Sequence, residues 1–186
     1  MNVSKINTTD EDKFIKEINS LIIASNQSTD MIDPITKITD NIFLGQGRMT
    51  LYSGILSQLD IHNIMSIGRP PHFSIKNSGF EHLEISKFED NLKTNIIQYF
   101  PLFFDNMKKI REKNERVFIH CEVGISRSPT VAIAILRHFE YTKTLQEAYN
   151  MIKSKRPWIC PNHNFHEQLV LFFKEPLNSF KVIQVK

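Results

Sequence analysis

The stretch VFIHCEVGISRSPTVAIAIL, Val117 to Leu136, decides how the chain is to be read. Its opening Val117-Phe118-Ile119 is β-branched and aromatic, the composition of a short buried strand. From Pro129 to Leu136 come alanines and long aliphatics behind a proline suited to a first helical turn, so a buried helix is expected there. Between them lies the loop Cys121-Glu122-Val123-Gly124-Ile125-Ser126-Arg127. A strand, a tight loop and a helix N-terminus make an anion site, because backbone N–H groups without helical partners converge on one point.

The residue types in the loop suit that reading. Cys121 would sit at the positive end of the following helix, a setting that favours a nucleophilic thiolate. Arg127 offers a planar fork of donors matched to two phosphoryl oxygens. Gly124 lets backbone approach an anion with no side chain in the way. The backbone N–H groups of Glu122, Val123, Ile125 and Ser126 complete the expected phosphate cradle. His120 is expected to hold the loop geometry, and Ser128 to donate to the Cys121 sulfur and ease its departure. The bland alternative is a buried cysteine and a surface arginine in an ordinary turn, since free cysteine is often a small core hydrophobe. The whole string His-Cys-x-x-Gly-x-Ser-Arg-Ser-Pro, set between strand and helix, weighs against it.

Outward from the loop the elements alternate. Ile42-Phe43-Leu44 is expected as a strand ended by Gly45, followed by a helix over Leu51 to Leu59 and a strand over Ile64 to Ile67. The Gly68-Arg69-Pro70-Pro71 loop and a further strand within Phe80 to Ile85 come next. Ile96, Phe100, Phe103, Phe104, Met107 and Ile110 fall at helical spacing within Thr94 to Arg111, with Pro101 expected to kink or restart that helix. Thr144-Leu145-Gln146-Glu147 is a capping box for a helix to about Lys155, which Arg156-Pro157 stops. Asn162 can cap a last helix through about Lys174, before Pro176. This order implies an α/β domain: a central, mostly parallel twisted sheet flanked by helices. It would occupy residues 36–175, between an N-terminal helical extension (1–35) and a C-terminal tail (176–186). In the extension, Thr8 to Glu11 reads as a capping box, and Phe14, Ile15, Ile18, Leu21 and Ile22 share one helical face. The polar run Ser25 to Thr29 should end that helix. Its apolar stripe needs a cover, either the chain's own core or a second copy in a homodimer.

At 186 residues, 41% hydrophobic and 23% charged, the chain can build an ordinary globular core. A net charge of +3, dispersed along the chain, gives no reason to expect nucleic-acid binding. No apolar stretch approaches the ~20 residues of a membrane span. Met1-Asn2-Val3 does not open a secretory leader or offer the glycine that myristoylation requires, and Ile183-Gln184-Val185-Lys186 holds no prenylation cysteine. Two cysteines, Cys121 and Cys160, make no disulfide framework. A reducing cytoplasmic setting is expected, with the nucleus as a second compartment.

His120-Cys121-x5-Arg127-Ser128 resembles the phosphate-binding loop of the cysteine-based protein tyrosine phosphatases, and most closely that of their dual-specificity branch. The likeness extends over roughly Ile38 to Phe172. Ile42-Phe43-Leu44-Gly45 resembles the family's opening strand. Ala148 to Ile152, Arg156-Pro157, Pro161-Asn162, Phe165 and Gln168-Leu169 resemble its C-terminal helical signature. The branch uses an acid on a separate upstream loop, and Ile85-Ser86-Lys87-Phe88-Glu89-Asp90-Asn91 resembles that loop, with Asp90 in the acid's place and adjacent Glu89 as its competitor. The resemblance implies hydrolysis of phosphotyrosine and phosphoserine or phosphothreonine in proteins through a phosphocysteine intermediate, without metal or cofactor. It also implies two alternatives. One is a non-protein substrate, although the loop lacks the lysines of lipid-directed relatives and Asp90 is present where RNA 5′-phosphate-directed relatives tend to lack the acid. The other is an inactive phosphobinding scaffold, although Cys121 is retained.

Other clusters are weaker. Cys160, His163 and His166 offer only three ligands across a helix start, so loop and surface roles are expected instead of a metal site. Cys160 would serve as a resolving thiol only if it lay beside Cys121. Arg48, Arg69 and Lys87 stand near the expected strand ends, where each could meet a flanking phosphate or simply be solvated. Trp158 could line the cleft rim, or pack on the last helix.

Overall fold

The runs 42–46, 61–67 and 116–121 bury nearly every side chain, on both sheet faces, as strands inside a parallel α/β sheet must. The computed structural model describes residues 8–25, 32–76, 78–176 and 178–182. It contains the strands β1 (Ile35–Lys37), β2 (Ile42–Gln46), β3 (Ile61–Ile67), β4 (Glu81–Ile85) and β5 (Arg116–Cys121). The helices are α1 (Thr8–Ser25), α2 (Ser53–Gln58), α3 (Phe73–Lys76), α4 (Phe100–Glu112), α5 (Arg127–His138), α6 (Leu145–Lys155) and α7 (His163–Phe173). The sheet order is β1-β2-β5-β3-β4, with β1 antiparallel to β2 and the other pairs parallel. The expected mixed α/β sheet is therefore present. β5 lies at its centre, flanked by strands from earlier in the chain, the arrangement that opens a crevice at the strands' C-terminal ends.

Several boundaries differ from the sequence reading. Gly45 does not end β2, which runs on to Gln46. A Cβ on Gly45 would stand 2.1 Å from the Pro34 carbonyl oxygen, so this glycine permits close approach of neighbouring chain where a turn was expected. The expected helix over 51–59 is a 3₁₀ turn at Gly47–Leu51 followed by α2. Pro101 restarts its helix: a 3₁₀ turn at Ile97–Tyr99 precedes α4, with the proline in the first turn where a missing N–H costs nothing. β1 and α3 were not anticipated, both being too short to show a period.

Two hydrophobic layers cover the sheet. On one face α5, buried along residues 128–136, packs among Phe100, Phe103, Met107, Leu145, Ile152 and Leu169. On the other, Ile15 and Ile22 of α1 join Phe43, Leu56, Ile64 and Phe118. The stripe on α1 is thus covered by the chain's own sheet, while Leu21 stays exposed. Of the expected cap on α1, the Thr8 side chain lies outside the described residues. Glu11 turns inward, 2% exposed, and pairs with Lys37 and Arg116. Asn19 seals the sheet edge, its amide donating to the Ile35 carbonyl and accepting from the Ile35 N–H.

Thr144 and Asn162 cap α6 and α7 as expected, accepting from the N–H groups of Glu147 and Phe165. Beyond α7 the chain turns back, and Phe180, 1% exposed, packs against Tyr149 and His166. Residues 26–29, Met1-Asn2-Val3 and Ile183 to Lys186 lie outside the described residues.

Candidate active site

β2, β5, β3 and β4 all end on one side of the sheet, so the loops beginning at Gly47, Glu122, Gly68 and Ser86 meet there. Cys121, the last residue of β5, is 2% exposed. Its Sγ accepts from the Gly124 N–H at 3.2 Å and from Ser128 Oγ at 3.3 Å. The amides of Val123, Ile125 and Ser126 find no acceptor among the described residues. The N-cap of α5 reinforces this, because Ser126 makes no side-chain cap, unlike Thr144 and Asn162 on the two helices that follow. A helix end left uncapped above a buried sulfur is an opening for an anion.

Gly124 has φ +76°, and a Cβ there would fall 2.6 Å from both Arg156 Nη2 and the Gly45 carbonyl oxygen. Only glycine fits that corner. Arg127 leans across the loop, donating from Nη1 to the Gly68 carbonyl at 3.1 Å, while its Nε is buried with no acceptor among the described residues. Gly68, at φ +68°, makes room for it; a Cβ would come within 2.4 Å of Arg127 Nη1.

His120 is fully buried. Its Nε2 stands 2.7 Å from Ser66 Oγ, which also lies 2.9 Å from His82 Nε2. Its Nδ1 faces the Cys121 carbonyl at 3.4 Å. A carbonyl only accepts, so Nδ1 carries the proton and Nε2 accepts from Ser66. Burial pushes the His120 pKa down to about 4, outweighing the bond to Cys121. The folded protein thus keeps His120 neutral while an unfolded chain would protonate it below about 6.5. Because the unfolded state binds the extra proton, stability is full above pH 6.5 and is lost as pH falls toward 4. From pH 7.5 to pH 5 this group alone should cost about 2 kcal/mol. Urea midpoints of wild type and His120→Asn at the two pH values check this, since the variant should lose that part of the pH dependence.

The loop that carries Asp90 is built from further away. Phe88 is fully buried against Tyr99, Phe103 and Phe165, anchoring the segment that follows β4. Two residues on, Asp90 Oδ1 accepts from Ser126 Oγ at 2.9 Å and from Asn162 Nδ2 at 2.7 Å. Its Oδ2 lies 3.8 Å from Arg127 Nε. Glu89, the competing carboxylate, instead accepts from Asn91 in solvent. The first turns of α7 brace the same loop. Asn164 donates to the carbonyls of Asn91 and Thr94, and Gln168 accepts from the Ile96 N–H while donating to Thr94.

Three residues named from the sequence carry roles in the site that the sequence did not suggest. Ser126 uses its hydroxyl on Asp90, Asn162 both caps α7 and holds that carboxylate, and Arg156 supports the loop from beneath. Arg156 is fully buried, donating to the carbonyls of Gly124 (2.9 Å), Val123 (3.2 Å) and Asp33 (2.7 Å) and to Thr36 Oγ1 (3.0 Å). Burial lowers its pKa to about 10, opposed by the charges of Cys121 and Asp33, so it remains a cation at neutral pH. By taking two loop carbonyls outward it leaves the loop N–H groups facing the sulfur. The available signal was a full charge just before proline in an otherwise helical stretch, which reads equally as a helix stop.

Other sequence candidates fall elsewhere. Glu122 is half-exposed and pairs with Arg69. Lys87 is exposed and Trp158 half-buried. His166 Nε2 contacts the Phe180 carbonyl, and His163 pairs with Glu167. Among the described residues no three His, Cys, Asp or Glu side chains gather as a metal site.

The catalytic domain of dual specificity phosphatases, as a family description, matches residues 42–175. The chain belongs to the dual specificity phosphatase family. It is 33% identical to human dual specificity protein phosphatase 14 over 156 residues, covering 83% of this chain and 77% of that protein. It is 35% identical over 142 residues to the tyrosine-protein phosphatase vhp-1 of Caenorhabditis elegans, covering 74% of this chain but only 21% of the nematode protein. The chain likewise spans 35% of the length of human dual specificity protein phosphatase 9. Among solved structures, human DUSP28 shares the fold with a TM-score of 0.68 at 22% identity, over 76% of this chain and 93% of that one. In this domain the Cys121 loop, Arg127 and the Asp90 segment lie together at the C-terminal ends of the parallel strands.

Proposed function

We propose that the chain is a phosphoprotein phosphatase that hydrolyses phosphotyrosine and phosphoserine or phosphothreonine through a phosphocysteine intermediate. The observation that carries this is the buried Cys121 sulfur, set beneath loop amides without acceptors and the Arg127 Nε, which makes no hydrogen bond and faces the Asp90 carboxylate at the rim.

The Cys121 thiolate attacks phosphorus as the P–O bond to the substrate oxygen breaks. Asp90, protonated in that step, gives its proton to the leaving oxygen. Water then attacks the phosphocysteine, losing a proton to the Asp90 carboxylate and releasing inorganic phosphate and thiolate. Ser128 eases departure of the sulfur by donating to it. Arg127 and the loop amides hold the equatorial oxygens throughout, in geometry fixed before the substrate arrives. The reading calls for no metal or cofactor, since this loop supplies the positive field. Its substrates are phosphorylated proteins rather than nucleic acid or membrane lipid, and the expected compartment is the cytoplasm.

Phosphate release from matched phosphotyrosine and phosphothreonine peptides tests the reading. Release from both supports it. Release from neither, with RNA 5′-phosphates or inositol lipids hydrolysed instead, would overturn the substrate class. Asp90→Asn should lower kcat on the peptides by roughly 10²–10⁴-fold. Aryl phosphates with strongly acidic leaving groups should suffer far less, because they depart without a proton. An equal loss on both substrates would remove Asp90 from the acid's role.

A further inference from the structure

On the sheet face that α1 covers, three polar side chains stand in a row from the edge strand to the Cys121 loop. His82 of β4, Ser66 of β3 and His120 of β5 share that face, because Ile64 pairs with His82 and Ser66 with His120, and paired residues of parallel strands point the same way. Ser66 and His120 are fully buried, while His82 is half-buried at the edge. The contacts are short: 2.9 Å from His82 Nε2 to Ser66 Oγ, and 2.7 Å from there to His120 Nε2. Phe118 stacks against the His120 ring and restricts its turning.

A serine hydroxyl has one hydrogen, so it can donate to only one of the two imidazoles. Two arrangements satisfy both contacts. In the first, His82 Nε2–H donates to Ser66, Ser66 donates to His120 Nε2, and His120 Nδ1–H points at the Cys121 carbonyl 3.4 Å away. In the second every proton is reversed. His120 Nε2–H donates to Ser66, Ser66 donates to His82, and a bare Nδ1 faces the carbonyl, acceptor against acceptor. The second arrangement takes a donor away from the residue that carries the sulfur and sets a lone pair beside it, which disfavours a thiolate. His120 does not escape the choice by carrying both protons, since burial, with the charges of His82 and Arg69 acting in the same direction, holds it neutral.

We propose that His82 is a positioning residue for Cys121: its Nε2–H sets the donor direction of the row and, through Ser66 and His120, keeps a hydrogen on the Cys121 carbonyl. The inference rests on the proposed role of Cys121 as the nucleophile. It gives the edge strand β4 a part in preparing the sulfur.

The test reads the protons directly. In protein labelled with ¹⁵N-histidine, the Nδ1 and Nε2 shifts distinguish the two tautomers, and the spectrum of His120→Asn identifies the His120 signals. Wild type should show His120 protonated on Nδ1. His82→Phe keeps a flat ring at the sheet edge but has no donor, and it should bring in the opposite tautomer. With Cys160→Ser in place to leave one thiol, it should also raise the midpoint of Cys121 alkylation by iodoacetamide by about one pH unit, about a tenfold loss of thiolate below that midpoint. His82→Gln, which can donate again, should restore both readouts. In a Ser66→Ala background, where the row is already cut, His82→Phe should change neither. A His82 that merely packs the edge strand would lower the melting temperature equally in both backgrounds and leave the tautomer alone. That outcome, a wild-type His120 protonated on Nε2, or an alkylation midpoint unmoved by His82→Phe would overturn the inference. Neither readout uses a phosphorylated substrate, so phosphate release from peptides judges the phosphatase reading separately.

Discussion

Replacing Cys121 with serine is expected to reduce phosphate release by on the order of 10⁴-fold or more, while leaving phosphopeptide binding nearly intact. A serine hydroxyl at this position stays protonated, and no base stands beside it: the Cys121 sulfur is touched by the Gly124 N–H and the Ser128 hydroxyl, both donors. The proposed binding elements are separate from the nucleophile, since the amides belong to the loop backbone and the guanidinium to the side chain of Arg127 in the first turn of α5. Phosphate release and calorimetric titration with one phosphotyrosine peptide, run side by side, check both halves. A serine variant with appreciable turnover would sink the phosphocysteine pathway.

The second large effect is expected at Arg156. Arg156→Met keeps a long side chain but leaves the carbonyls of Gly124, Val123 and Asp33 without their donor. Each orphaned buried acceptor costs about 1–3 kcal/mol, so a loss of roughly 3–5 kcal/mol is expected, seen as a melting temperature lower by about 10 °C. Activity should fall by at least about tenfold even below the melting transition, because the loop carbonyls would relax toward the anion. Arg156→Lys should restore little, since one ammonium cannot reach three carbonyls and Thr36 together. A methionine variant with wild-type melting and kcat would show that the loop holds its shape unaided.

The strand, loop and helix around Cys121 were legible in the sequence because everything they need is local. Strand, cysteine, glycine, arginine and helix start follow one another within Val117 to Leu136. The sheet's central strands were legible for a similar reason, as continuous apolar runs. Asp90 was put forward as the acid by its position in a resembling segment, and what sets it apart from Glu89 in space is the reach of Ser126 and Asn162. Asn162 looked like a helix cap, and it is one; nothing in the spacing hints that its other amide atom serves a loop 72 residues earlier. Arg156 was hidden by the same logic, its partners lying up to 123 residues away. β1 is three residues long and declares itself only through its pairing with β2.

The brace that α7 places on the acid loop also orders events during synthesis. The ribosome delivers Asp90, then Cys121 and Arg127, and only later Asn162, Asn164 and Gln168. A nascent chain that has exposed the sulfur and the arginine therefore still lacks the residues that pin Asp90. Both supports, the Arg156 contacts beneath the loop and the Asn162 contact on Asp90, come from chain made after the whole of the Cys121 loop.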